Sequence, residues 1–150
     1  MSDTAITALC VGLLAAMIAG EQWKVARAKL RLDLFEKRYE LFEILWSYLS
    51  AHVQDHGQIP EKSATLQNHI PQFYFLYGSA IGDFANEALT QGIKMDTAKR
   101  VIEKNVGYSD ALRQYQQQTS DLYMWFATNA TDLRKRFGPF LSFESWDNSH

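Results

Sequence analysis

Cysteine, proline and glycine are all scarce in this sequence, and neither sign of charge dominates it. Cys10 is the only cysteine. It excludes an intrachain disulfide and fits a reducing compartment. Three prolines and eight glycines are too few for an all-β chain with its many turns. The formal net charge is −2, with acids and bases mixed along the chain, so bulk electrostatics give no support to nucleic-acid binding. No Walker sequence, G-x-G-x-x-G or nucleophile elbow occurs. The chain is therefore read as a non-enzyme without a cofactor, and no motif supports a nucleotide ligand. At 150 residues it holds one core, not two.

What the sequence does have is an uncharged N-terminal run, TAITALCVGLLAAMIAG, over residues 4–20. At about 1.5 Å per residue it reaches roughly 26 Å, the short end of what crosses a bilayer core. Trp23 then stands where an interfacial aromatic belongs, and Lys24 can snorkel. A secretory signal would carry positive charge before the apolar run, and Met1-Ser2-Asp3 carries none. A lipoprotein signal would place its cysteine after that run rather than inside it. A buried or interfacial helix is the remaining alternative to a membrane span. Lys24, Arg27, Lys29 and Arg31 crowd the C-terminal flank, so the positive-inside rule puts the rest of the chain in the cytoplasm. Those bases could also touch anionic headgroups.

Ala8, Gly12, Ala16 and Gly20 recur every four residues, a small-xxx-small stripe of the kind that lets helices approach in lipid. It makes a homo-oligomer the expected assembly, with a protein partner as a further possibility.

Beyond the apolar run, Val25, Ala28, Leu32, Phe35, Tyr39, Phe42, Trp46, Leu49 and Val53 step by three and four, a period of 3.5. Leu30, Leu34, Leu41 and Leu45 widen this face, which suits a bundle better than a bare coiled coil. Gly57 is expected to end the helix. Pro60 opens a short helix to about His69, and Pro71 begins another segment with a weak point at Gly78. There Ile81, Phe84, Ala85, Ala88 and Leu89 make a buried stripe. Asp96 reads as the N-cap of a helix closed by Asn105 and Gly107, and Ser109 as the cap of the last one. In that last helix Leu112, Tyr115, Thr119, Leu122, Phe126, Ala130, Leu133 and Phe137 keep the same spacing. Gly138-Pro139 should stop it, with Phe140, Leu141 and Phe143 folding back. Phe42, Trp46 and Phe126 are expected to be buried. The fold class is thus all-α: a transmembrane helix (4–20) continuing into the long helix of a cytoplasmic bundle of four to five helices (21–143), then a tail (144–150).

Three segments resemble a widespread family of small, uncharacterised bacterial and prophage-associated proteins. They are KLRLDLFEKRYELFE following the apolar N-terminus, FYFLYGSAIGDF at 73–84, and LYMWFATNATDLRKRFGPFL at 122–141. Tyr77 and Phe140 depart from the family pattern, which has Phe and Tyr there, but both positions stay aromatic. The resemblance implies the helical architecture and a bacterial inner membrane, and no chemistry.

Among residues that could carry chemistry, His52 and His56 are four apart, but two ligands do not make a metal site. Glu36, Glu40 and Glu43 share a face without an accompanying Glu-x-x-His, so they read as solvated. Arg134, Lys135 and Arg136 could grip a phosphate, or simply favour a helix C-terminus. Two function classes follow. The first is a membrane-anchored interaction or scaffold module. The second is a regulated membrane effector, a phage-defence or prophage protein that senses a ligand or partner and acts through clustered spans.

Overall fold

The computed structural model describes residues 3–54, 58–104 and 110–142, and every element among them is helical. The helices are α1 (Asp3–Gln54), α2 (Ile59–Tyr77), α3 (Ser79–Lys104) and α4 (Asp110–Leu141). The chain divides into two compact units, Met1–Lys37 and Arg38–His150. Gly57, Asn105, Gly107, Ser109, Phe143 and the 144–150 tail lie outside the described residues.

The first unit is the N-terminal part of α1. Among its described side chains only Arg27, Arg31, Leu34 and Phe35 are even partly covered. Leu9, Val11, Leu13, Leu14, Met17 and Ile18 are each more than half exposed. Helix α1 is long and apolar enough to cross a membrane, and none of its most apolar window is buried within the protein.

The second unit is a helical bundle with one core. Leu41, Leu45, Tyr48 and Leu49 of α1 meet Leu66, Phe73 and Tyr77 of α2. Ile81, Phe84, Ala85, Ala88 and Met95 of α3 and Leu122, Phe126, Leu133 and Phe137 of α4 complete it. Helix α3 packs against both α2 and α4. Small residues at Ala85, Ala88, Gly92 and Ala98 line its buried side, which lets neighbouring helices approach.

The α3 stripe is buried except for the half-buried Leu89. The α4 stripe is buried at Leu122, Phe126, Leu133 and Phe137 but only partly covered at Leu112, Tyr115, Thr119 and Ala130. The α1 face departs further. Trp46 is 48% exposed and Phe42 only half-buried, while the core takes Leu41, Leu45, Tyr48 and His52 instead. Residue 46 lies about 100° around the helix from residue 45. A seam drawn at period 3.5 and a straight helix of period 3.6 thus part company along α1.

Three expected breaks are absent. Pro71 sits inside α2, which runs unbroken through it. Leu66, Phe73 and Tyr77 anchor the buried side on both flanks, and Pro71 faces outward, as does Gln67. The carbonyl that proline leaves unbonded, that of Gln67, therefore belongs to an outward-facing residue, where water can reach it. Asp96 likewise lies within α3 and caps nothing, because Met95 and Ala98 on either side are held in the core. Helix α4 also passes through Pro139 to Leu141, so Phe140 and Leu141 reach the core as its last turn rather than by folding back. A break does occur at Gly78, whose φ of 84° closes α2. That left-handed conformation favours glycine. Tyr74 then lies flat over Gly82, where a Cβ would come within 2.5 Å of its ring, and donates a hydrogen bond to Asp83 at 2.7 Å.

Candidate functional site

Arg38 of α1 and the last turns of α2 and α4 meet at one end of the bundle. The Arg38 Nε donates to the Leu76 carbonyl at 3.2 Å, and its Nη1 to the Phe140 carbonyl at 3.3 Å. Both carbonyls belong to last turns, of α2 and of α4, where no intrahelical N–H remains to bond them. A cation there also meets the negative ends of two helix dipoles. The Tyr77 hydroxyl returns a hydrogen bond to the Arg38 carbonyl at 2.6 Å. Its ring lies edge-on to Phe137 (4.8 Å) and Phe140 (5.2 Å), with the Arg38 guanidinium 5.8 Å from its centre. Phe42 meets Phe137 at 5.4 Å. Burial pushes the Tyr77 phenol well above its ordinary range, so it stays a neutral donor. Arg38 thus ties three helices together, and the planar fork that reaches two carbonyls at once is a property of arginine and not of lysine.

A second polar feature lies inside the core. His52 is stacked on Phe126, with ring centres 4.3 Å apart and planes at 9°, and its Nδ1 contacts the Tyr48 carbonyl at 3.1 Å. That contact makes Nδ1 the donor and leaves Nε2 a lone-pair acceptor. Neither His52 Nε2 nor the Tyr48 hydroxyl has a hydrogen-bond partner. Both point at Gly92, where a Cβ would overlap the Tyr48 hydroxyl and come within 3.0 Å of Nε2. Burial holds the His52 pKa below its ordinary value. Burial likewise pushes Tyr48 up to about 12, partly offset by the Ser63 side chain, which lies near the hydroxyl without reaching hydrogen-bond geometry. A neutral imidazole sealed beneath Phe126 can be neither a surface base nor a metal ligand without opening the core.

The expected site residues fall mainly in the first unit. Ala8, Gly12, Ala16 and Gly20 are all exposed, and a Cβ on Gly12 or Gly20 would meet open space. Trp23 is 62% exposed and Arg27 lies over its ring at 5.2 Å. Lys24 pairs with Glu21 at 2.9 Å, Lys29 is exposed and Arg31 half-buried. Of the bases near the end of α4, Lys135 pairs with Asp132 at 2.9 Å. Arg136 lies 4.3 Å from the Phe84 ring and bonds Asn129 at 3.2 Å. Arg136 thus lies over a core ring while remaining exposed, as Arg134 and Lys135 are. His56 lies outside the described residues. Among those described, no three His, Cys, Asp or Glu side chains converge where a metal could sit.

Sequence reasoning missed Arg38 and the Tyr48–His52–Gly92 contact. An arginine beside the apolar seam was a usable signal for the first. A glycine on the buried side of α3, in register with Ala85 and Ala88, was one for the second.

Fold and surface together define an all-α protein: a helical bundle with one core, carrying an exposed apolar N-terminal helix. In comparison with known proteins, the chain matches no family model, no curated protein and no solved structure.

Proposed function

We propose that this is a membrane-tethered interaction module, in which residues 4–20 cross a bilayer and the bundle stands in the cytoplasm. The observation that carries this reading is the unburied apolar window of α1. Six large apolar side chains between Leu9 and Ile18 are more than half exposed. Taking each out of water is worth about 1.5 kcal/mol or more. Soluble monomers do not leave such a run of side chains uncovered. Trp23 and the bases at 24, 27, 29 and 31 follow as the interfacial belt and the cytoplasmic flank. The resemblance to small bacterial proteins makes the bacterial inner membrane the membrane concerned. The cytoplasmic bundle acts by binding: its two buried polar features, Arg38 and the Tyr48–His52 pair, serve packing, so its contacts with partners are made by its surface.

The test is fractionation of the full chain. It should stay with membranes through alkaline carbonate and leave only with detergent. Release by carbonate alone would overturn the tether.

A further inference from the structure

We propose that α1 pairs with α1 of a second copy of this chain, in parallel and in register, through the heptad face that begins at Val25. Val25, Leu32, Tyr39 and Trp46 occupy one heptad position (a), and Ala28, Phe35 and Phe42 the complementary one (d).

Each unit leaves the a positions of this face open, while Phe35 and Phe42 at d are half-buried. In the first, Val25 is 67% and Leu32 49% exposed. In the second, Tyr39 is 43% and Trp46 48% exposed, and Phe42 is half-buried. The bundle spends a different face of α1 on its own core, that of Leu41, Leu45, Tyr48 and His52. From Leu49 onward the two faces merge and the side chains are buried, so the open face ends at Trp46. An apolar repeat of 3.5 residues kept over three heptads is the pattern that a second helix satisfies.

Charge selects the occupant and its direction. The flanking position before each a residue (g) carries Lys24, Arg31 and Arg38, and the one after each d residue (e) carries Lys29, Glu36 and Glu43. In a parallel pair, g of one helix faces e of the next heptad on its partner. Arg31 then meets Glu36 of the second copy, twice by symmetry. Glu43 would face Arg38, but that guanidinium already holds Leu76 and Phe140. Lys24 facing Lys29 is the one repulsive layer, and it lies nearest the proposed membrane surface, where anionic headgroups screen it. An antiparallel pair would set g against g and e against e. Lys24, Arg31 and Arg38 would then meet with no acid between them, and Glu36 would meet Glu36, offset only where Lys29 meets Glu43. A parallel second copy is thus favoured over both an antiparallel one and a basic partner. The inference deepens the tethered reading, since chains inserted in one membrane in one sense run parallel, but its test does not depend on that reading.

The test uses the full chain with Cys10→Ser and one new cysteine at a time, oxidised in unfractionated lysed cells. Ala28→Cys and Leu32→Cys lie on the pairing face, where identical positions meet across the two-fold axis. Leu30→Cys, equally near the membrane but on the opposite side, is the control. The first two should form disulfide-linked dimers and the control should stay monomeric. Adding Arg31→Glu to the Ala28→Cys chain should slow crosslinking roughly tenfold, through two repulsive contacts in place of two attractive ones. Adding Glu36→Arg to that chain should restore it. Equal crosslinking at Leu30→Cys, no crosslinking at Ala28→Cys and Leu32→Cys, or a charge reversal that is not rescued by its partner would each overturn the pairing. Carbonate extraction of the same samples reports on the tether separately. A chain released from membranes could still crosslink, and a retained chain could still be monomeric.

Discussion

Gly92→Ala puts the packing of the core to a quantitative test. A Cβ at this position overlaps the Tyr48 hydroxyl and comes within 3.0 Å of both the Tyr48 Cζ and the His52 Nε2. Neither ring can swing away, because each is 1% exposed and both abut Phe126. Overpacking of this kind costs about 1–3 kcal/mol. Alanine in a helix interior gives back about 1 kcal/mol relative to glycine, so the net loss should be at most about 2 kcal/mol. Tyr48→Phe removes the overlapping atom. On its own it should be neutral or stabilising by about 1 kcal/mol, because the hydroxyl it deletes is buried without a partner. Gly92→Ala placed on Tyr48→Phe should then cost at least about 1 kcal/mol less than in the parent, the ring carbon and imidazole still being close. Urea unfolding of the full chain in mild detergent, followed by tryptophan fluorescence, gives the four stabilities of the cycle. The same cost of Gly92→Ala in both backgrounds would refute the proposed contact.

Other substitutions probe the remaining polar features. Arg38→Met keeps the stem but abandons the Leu76 and Phe140 carbonyls, and should lower stability in the same assay by about 2–4 kcal/mol, with Arg38→Lys recovering less than half. His52 has a folded-state pKa held below its ordinary 6.5, so the unfolded chain takes up the proton first. Stability should be full above pH 6.5 and drain as pH falls below it, by at most about 1.4 kcal/mol per pH unit. His52→Phe should remove that part of the acid slope in unfolding curves between pH 7 and 5.

The helical class and the stripes of α3 and α4 were legible because each of those helices buries one broad face, and periodicity reports such faces well. Breaks were read less well. Pro71 and Asp96 carry local signals for a helix end, but Leu66, Phe73 and Tyr77 in one case and Met95 and Ala98 in the other hold the helix through them. Gly78, read as a weak point, proved a full helix end where the backbone turns left-handed, while α1 and α3 stop at Gln54 and Lys104, just before the expected Gly57 and Asn105. Helix α1 misled most, since it has two apolar faces and the more regular one, with Tyr39 and Trp46, is not the core. Composition and spacing cannot rank two such faces; that takes the positions of the other helices. The Arg38 clip was hidden for a related reason, as the carbonyls it binds are many residues away in sequence.

The tether is tested most directly by the native Cys10, the only cysteine in the chain and one exposed on the surface of α1. In intact membranes a charged, water-soluble maleimide should fail to label it, because such a reagent does not enter the hydrocarbon core. After denaturation in detergent the same chain should label fully. Labelling in intact membranes at the rate of a free thiol would put residues 4–20 in water and contradict the membrane span.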